Sequence, residues 1–137
     1  MLRYSGKVIL GSGVDLCEVP RIQSAFERHG ARFLQRIFTP LEIAYCDRKA
    51  NRFERYAARF AAKEAGMKAL GTGWRRGVTW KDFEVANLPS GRPTLRLTGK
   101  AAEISQKLGV KNIALSITHT SAQALAQVIL EDLAAIY

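Results

Sequence analysis

Apolar positions along this chain follow an alternating period at first, then a helical one, and return to alternation in the second half. Residues 7–16 set Val8, Leu10, Val14 and Leu16 against Ile9, Gly11, Gly13 and Asp15, the period-two pattern of a strand. Glycine inside such a strand marks close approach by a ligand or by another backbone. Pro20 suits a first helical turn and Gly30 an end, which predicts a helix over 19–29 with Arg21 and Arg28 sharing a face. Thr39-Pro40-Leu41-Glu42 is a capping box with proline at the first helical position, and it opens a short helix to about Asp47. The longest helix spans roughly 51–70. Beyond it, residues 78–85, 94–97, 113–118 and 122–130 read as strands, with a turn at Asn87-Leu88-Pro89-Ser90-Gly91. A last helix over 98–108 is stopped by Gly109. Helices early and strands late predict an α+β fold: a single domain over 1–137, with a mainly antiparallel sheet packed with a long central helix.

That long helix carries charges where a plain amphipathic helix would not. At 100° per residue, Phe53, Tyr56, Phe60, Met67 and Leu70 form one apolar arc. Lys63 lies inside the arc, Arg59 at one edge, and Glu64 and Lys68 just beyond the other. A lysine on a core-facing stripe must snorkel to water or meet an anion. Ala58, Ala61, Ala62, Ala65 and Ala69 form the opposite face, smooth enough for another element to pack closely, and Gly71-Thr72-Gly73 ends the helix with flexible backbone. A phosphate-rich ligand with a divalent metal would use all of these charges. A Glu64–Lys68 surface pair with a snorkelling Lys63 would satisfy the same spacing.

Bulk composition narrows the classes. The chain has 137 residues, 47% hydrophobic and 24% charged, which suits one soluble globular domain. No apolar run has the length of a membrane span, and the opening Met1-Leu2-Arg3-Tyr4-Ser5 lacks the apolar core of a secretory signal. Cys17 and Cys46 make neither a CxxC pair nor a disulfide framework, so a cytoplasmic location with reduced thiols is expected. A net charge of +9 predicts an acidic partner: nucleic acid, an anionic membrane, an acidic protein or a polyphosphate ligand. The charge is spread along the chain, without a basic tail or an Arg/Gly tract, which argues against a disordered nucleic-acid arm.

Gly11-Ser12-Gly13 is not a dinucleotide fingerprint, because Leu16 fills the third small position and no helix opens there. No phosphate loop of the G-x-x-x-x-G-K type and no nucleophile elbow occurs. Asp15 is a carboxylate on a small-residue strand face, a position that also suits a turn or cap. His119 ends the apolar strand at a rim, where a structural role is equally open. Ser116, Thr118 and Thr120 alternate along one face as a row of hydroxyls.

Taken in order, three segments are distinctive. Gly11-Ser12-Gly13-Val14-Asp15-Leu16 comes first. Arg59-Phe60-Ala61-Ala62-Lys63-Glu64-Ala65 follows, with Lys68 and Gly71-Thr72-Gly73, and Ser116-Ile117-Thr118-His119-Thr120 comes last. Together they closely resemble the holo-[acyl-carrier-protein] synthase family, the small bacterial class of 4′-phosphopantetheinyl transferase. The likeness runs from about residue 8 to 131 and includes Arg36-Ile37-Phe38-Thr39-Pro40-Leu41-Glu42. It also includes Gly91-Arg92-Pro93, where the family more often has a central lysine.

The resemblance implies transfer of the phosphopantetheine arm of coenzyme A to a serine of apo acyl carrier protein, in fatty acid biosynthesis. Asp15 and Glu64 match the family's metal-binding positions for Mg²⁺, with Glu64 as the expected base and Lys68 beside them. Arg59, Lys63 and Lys68 are expected to hold phosphates, Gly71 and Thr72 to allow close backbone approach, and Ser116, Thr118 and His119 to meet the nucleotide. Arg21 matches a carrier-docking position and Arg28 shares its face. An acidic carrier would account for the positive charge without nucleic acid or membrane. The family further implies a homotrimer with sites between subunits. Two other readings stay open: a basic α+β domain that binds RNA or DNA, which leaves Asp15 and Glu64 unexplained, and an inactive relative that only binds coenzyme A.

Overall fold

The structure is a computed structural model and describes residues 8–133. Residue 7, where the first strand is expected to begin, lies outside that range. Strand β1 (Ile9–Glu18) leads through Pro20 into helix α1 (Val19–His29), and Gly30, at φ 62°, closes it. Helix α2 (Ala31–Ile37) follows at once, an element the sequence pattern did not predict. It has seven residues and no capping side chain, so only Leu34 and Ile37, both buried, mark its inner face. Helix α3 (Pro40–Asp47) starts from the expected capping box: Thr39 Oγ1 accepts from the Glu42 N–H, and Glu42 accepts from the Thr39 N–H. Helix α4 (Arg52–Leu70) then runs through the centre.

After α4 the chain departs from the strand expected over 78–85. Thr79 and Asp82 cap each other around a single 3-10 turn, Trp80–Asp82, so strand β2 begins only at Phe83 (Phe83–Asn87). Strand β3 (Pro93–Leu97) pairs antiparallel with β2, then come helix α5 (Gly99–Leu108) and strands β4 (Asn112–His119) and β5 (Gln123–Glu131). The sheet is split: β1-β5-β4 form one antiparallel sheet and β2-β3 a separate hairpin. The α+β class and the central helix are as expected.

The alanine face of α4 lies on the three-stranded sheet, and the glycines of β1 make that possible. A Cβ on Gly13 would stand 2.0 Å from the Ala65 carbonyl oxygen, and one on Gly11 2.1 Å from that of Ala69. The close approach is therefore between two backbones of this chain. Ala124, Ala126 and Val128 of β5 complete the buried layer. Gly11, Gly13, Asp15 and Cys17 of β1 thus face the helix, while Val14 and Leu16, each 52% exposed, point away from it. Among the described residues no helix is long and apolar enough to cross a membrane.

Candidate active site

Where β1 crosses α4, the alternation that sets Gly13 against Ala65 carries Asp15 on to the same side of the strand. Its Oδ1 lies 3.0 Å from Lys68 Nζ, which also donates to the Val14 carbonyl at 3.1 Å. Glu64, one helical turn before Lys68, accepts a hydrogen bond from the Trp80 indole at 3.2 Å through Oε1. Asp15 and Glu64 are each half-buried. Both also act on one neighbour, the Cys17 thiol. Burial pushes that thiol up to about 11, Arg21 opposes the shift, and Asp15, Glu18 and Glu64 add to it. Two carboxylates and an exposed lysine therefore gather at one strand–helix crossing. Carboxylate oxygens and a mostly exposed ammonium, held by Asp15 and the Val14 carbonyl, thus stand side by side.

Lys63 does not belong to that site. Its side chain is 0% exposed and its ammonium meets Glu42 Oε1 at 2.7 Å. It also donates to the carbonyls of Phe83 at 2.6 Å and Trp80 at 3.1 Å. Burial lowers its pKa from the usual lysine value, and the Glu42 carboxylate opposes that shift. The expectation that Lys63 holds a phosphate is thus overturned. The anion required by a lysine on the apolar arc is the capping-box glutamate, whose Oε2 also accepts from the Val85 N–H at 2.9 Å. One ion pair ties α3, α4 and the start of β2 together.

Arg59 lies on the other side of the helix. Nine residues separate it from Lys68, which is about 13 Å of rise and half a turn of rotation. Its guanidinium stacks 4.0 Å over the Tyr45 ring and donates to Asn87 Oδ1 at 3.3 Å. Only 5% of Arg59 is exposed, and its Nε is buried without a hydrogen-bond partner. Arg59 and His119 line a cavity of about 180 Å³ with Tyr45, Arg55, Asn87 and Gly91. His119 Nδ1 lies 2.9 Å from Glu54 Oε1, so the ring is oriented from α4. Ser116 and Thr118 are exposed on the sheet face that points away from α4. Gly71 ends α4 at φ 78° with open space around its α-carbon, whereas Thr72 is buried and its hydroxyl donates to the Gly73 carbonyl at 3.0 Å. Apart from Lys63, Gly71, Thr72 and the α1 arginines, the expected site residues thus fall into three groups. Asp15, Glu64 and Lys68 form one, Arg59 and His119 a second, and Ser116 and Thr118 a third.

A sequence model of the 4′-phosphopantetheinyl transferase superfamily matches residues 11–128. A holo-[acyl-carrier-protein] synthase of Solibacter usitatus is 70% identical over 125 residues, covering 91% of this chain and all of that protein. The chain belongs to the holo-[acyl-carrier-protein] synthase family. It is accordingly an enzyme, a phosphopantetheinyl transferase. The crystal structure of the Neisseria meningitidis family member matches with a TM-score of 0.83 at 30% identity, over 90% of this chain and 98% of that one. That from Bacillus anthracis, in complex with coenzyme A (3′,5′-ADP), matches at 0.77 and 34% identity, over 93% of this chain and all of that one.

Several residues lining these synthase-fold sites had no clear sequence signal. Tyr45 and Asn87 join Arg59 only because α3 and β2 fold against α4, and Trp80 reaches Glu64 only because the 3-10 turn brings it back. A basic strip is different. Arg28, Arg32 and Arg36 recur every fourth residue through α1 and α2, a spacing visible in the sequence, and they line an open cleft of about 720 Å³ with His29 and Phe33. Arg21 is exposed on α1 ahead of them.

Proposed function

We propose that this enzyme transfers the 4′-phosphopantetheine arm of coenzyme A to a serine hydroxyl of an apo acyl carrier protein of fatty acid synthesis, in the cytoplasm. The observation that carries this reading is the Asp15–Lys68 pair where β1 crosses α4, with Glu64 one helical turn before Lys68 and acting with Asp15 on the same Cys17 thiol. The names of close relatives and the coenzyme A bound to a family structure support it.

The serine oxygen attacks the pantetheine-side phosphorus of the pyrophosphate. The bond to the bridging oxygen breaks, and adenosine 3′,5′-bisphosphate leaves with the electron pair. Such transfer needs positioning and charge neutralisation more than covalent help. Lys68, 55% exposed on its long stem, can leave Asp15 for a phosphoryl oxygen without unfolding anything. Glu64 takes the serine proton on a carboxylate oxygen, directly or through water.

Asp15 and Glu64 fit Mg²⁺ as hard oxygen donors. Their number suits an ion that keeps several waters and takes the rest of its ligands from the substrate. The Lys68 ammonium paired with Asp15 supports this reading, since the carboxylate already has a positive partner that an incoming cation could replace. When bound, Mg²⁺ supplies neutralisation of the pyrophosphate oxygens.

The division of the site residues supports a shared site. Arg59 and His119 present a buried donor and an oriented imidazole, suited to a phosphate on the nucleotide, but Arg59 lies about two and a half helical turns from Lys68 on the opposite side of α4. The outward sheet face, with Val14, Leu16 and Leu125 exposed beside Ser116 and Thr118, suits burial against another copy. A homotrimer would bring the two groups together across neighbours. Sedimentation that gives the mass of a single chain would remove this part of the reading.

The docking partner is an acidic carrier protein meeting Arg21, Arg28, Arg32 and Arg36. Mass spectrometry tests the whole: apo carrier protein of fatty acid synthesis should gain one phosphopantetheine when given enzyme, coenzyme A and Mg²⁺. Folded enzyme that modifies no bacterial-type carrier would leave coenzyme A binding without transfer as the better description.

A further inference from the structure

Trp80 has three anchors and one free donor, and the donor is aimed at Glu64. Its backbone carbonyl accepts from the buried Lys63 ammonium at 3.1 Å. Its ring stacks on Phe60, with centroids 6.5 Å apart and planes 27° apart, and Trp74 meets it edge-on at 4.7 Å. The Thr79–Asp82 cap fixes the turn that carries it, through bonds of 3.2 and 3.4 Å. With backbone and ring both held, the indole N–H donates to Glu64 Oε1 at 3.2 Å. This is the one hydrogen bond the Glu64 side chain makes among the described residues.

We infer that Trp80 is a positioning residue, whose indole N–H engages Glu64 Oε1 and so turns the other carboxylate oxygen toward the metal. The inference rests on the proposal that Glu64 binds Mg²⁺. A carboxylate on a helix surface otherwise samples several rotamers, and each must be given up on binding. A neutral donor to one oxygen removes that freedom without competing for the second, as outer partners do around metal ligands. Phenylalanine would fill much of the same space between Phe60 and Trp74 but has no donor. The buried Lys63–Glu42 pair gains a role here. By holding the Trp80 carbonyl, it sets the direction of the N–H that reaches the next residue of α4.

The test replaces the N–H and keeps the shape. The chain has two tryptophans. In a W74F background, tryptophan-auxotroph expression can therefore place benzothienylalanine, with sulfur in place of the N–H, at position 80 alone. Mg²⁺ binding is read by calorimetry on the coenzyme A-loaded protein, with Trp74→Phe alone as reference and Trp80→Phe as a second variant. Loss of the N–H should weaken Mg²⁺ binding roughly tenfold. It should raise the metal concentration for half-maximal turnover equally, with KM for carrier protein unchanged. Mg²⁺ affinity within twofold of the reference in both folded variants would overturn the inference, even if their melting temperatures fell. Glu64→Gln separates the two layers. If it weakens binding while the position-80 variants do not, only the role of Trp80 is lost. If it too leaves binding unchanged, the metal site itself is misassigned and the inference falls with it.

Discussion

Lys63 and Glu64 are neighbours in sequence and opposite in fate. One is fully buried against Glu42 and the other stands at the rim of the β1–α4 crossing. Lys63→Met should leave Glu42 as an uncompensated buried charge. Chemical denaturation should then show a loss of about 3–5 kcal/mol, against far less for the double change Lys63→Met with Glu42→Leu. The double change also removes the bonds Glu42 accepts from the Thr39 and Val85 N–H groups, so part of the loss remains. At the rim the expectation concerns turnover. Asp15→Asn and Glu64→Gln should each leave the fold intact and lower kcat by orders of magnitude, with Mg²⁺ activation weakened. Residues serving one ion act as a unit, so the double variant should be little worse than either. Multiplicative losses with unchanged Mg²⁺ dependence would reduce Asp15 to the salt-bridge partner of Lys68.

At the scale of elements, the decisive fit is a glycine strand on an alanine helix face. Gly13→Ala forces a methyl group onto the Ala65 carbonyl, and backbone on both sides leaves nothing flexible to yield. Thermal and denaturant unfolding should show a loss of about 1–3 kcal/mol or more, as for other overpacked cores. Because Asp15 lies two residues further on the same side, activity should fall beyond what the unfolded fraction explains. Native-like kcat in the folded variant would mean that the strand–helix spacing does not set the site. The same scale accounts for the two misread segments. Helix α2 is too short for its period to show. The segment over 78–85 has strand-like composition, but the Thr79–Asp82 cap turns it before pairing begins at Phe83.

For the whole molecule the governing quantity is charge. Part of the net +9 gathers on α1 and α2, where Arg28, Arg32 and Arg36 line one cleft and Arg21 is exposed ahead of them. Arg21→Glu should raise KM for carrier protein several-fold while leaving KM for coenzyme A near its native value, because exposed charges mainly steer encounter. Wild-type turnover at low carrier concentration should fall between low and physiological salt as the Debye length shrinks to about 8 Å. A rise in the coenzyme A KM instead would move Arg21 from docking to substrate binding.

Local chemistry was decided by the sequence alone wherever a few adjacent residues suffice. The Thr39–Glu42 box, Pro20 and the glycines at 30, 71 and 109 fixed where helices start and stop, since capping and φ preference act within one turn. The order of the three motifs was enough to place the chain in its family. Tertiary structure decided what lies across from each charge. The spacing of Lys63 demanded an anion but could not distinguish a phosphate from Glu42, because that choice depends on how α3 docks against α4. Likewise, the period of α4 put Arg59 and Lys68 on different edges of one arc. Packing decided what each edge meets, Tyr45 and Asn87 on one side and Asp15 on the other. Trp80 was silent in the sequence, since a side chain whose role is to aim one hydrogen bond across 16 residues leaves no periodic trace.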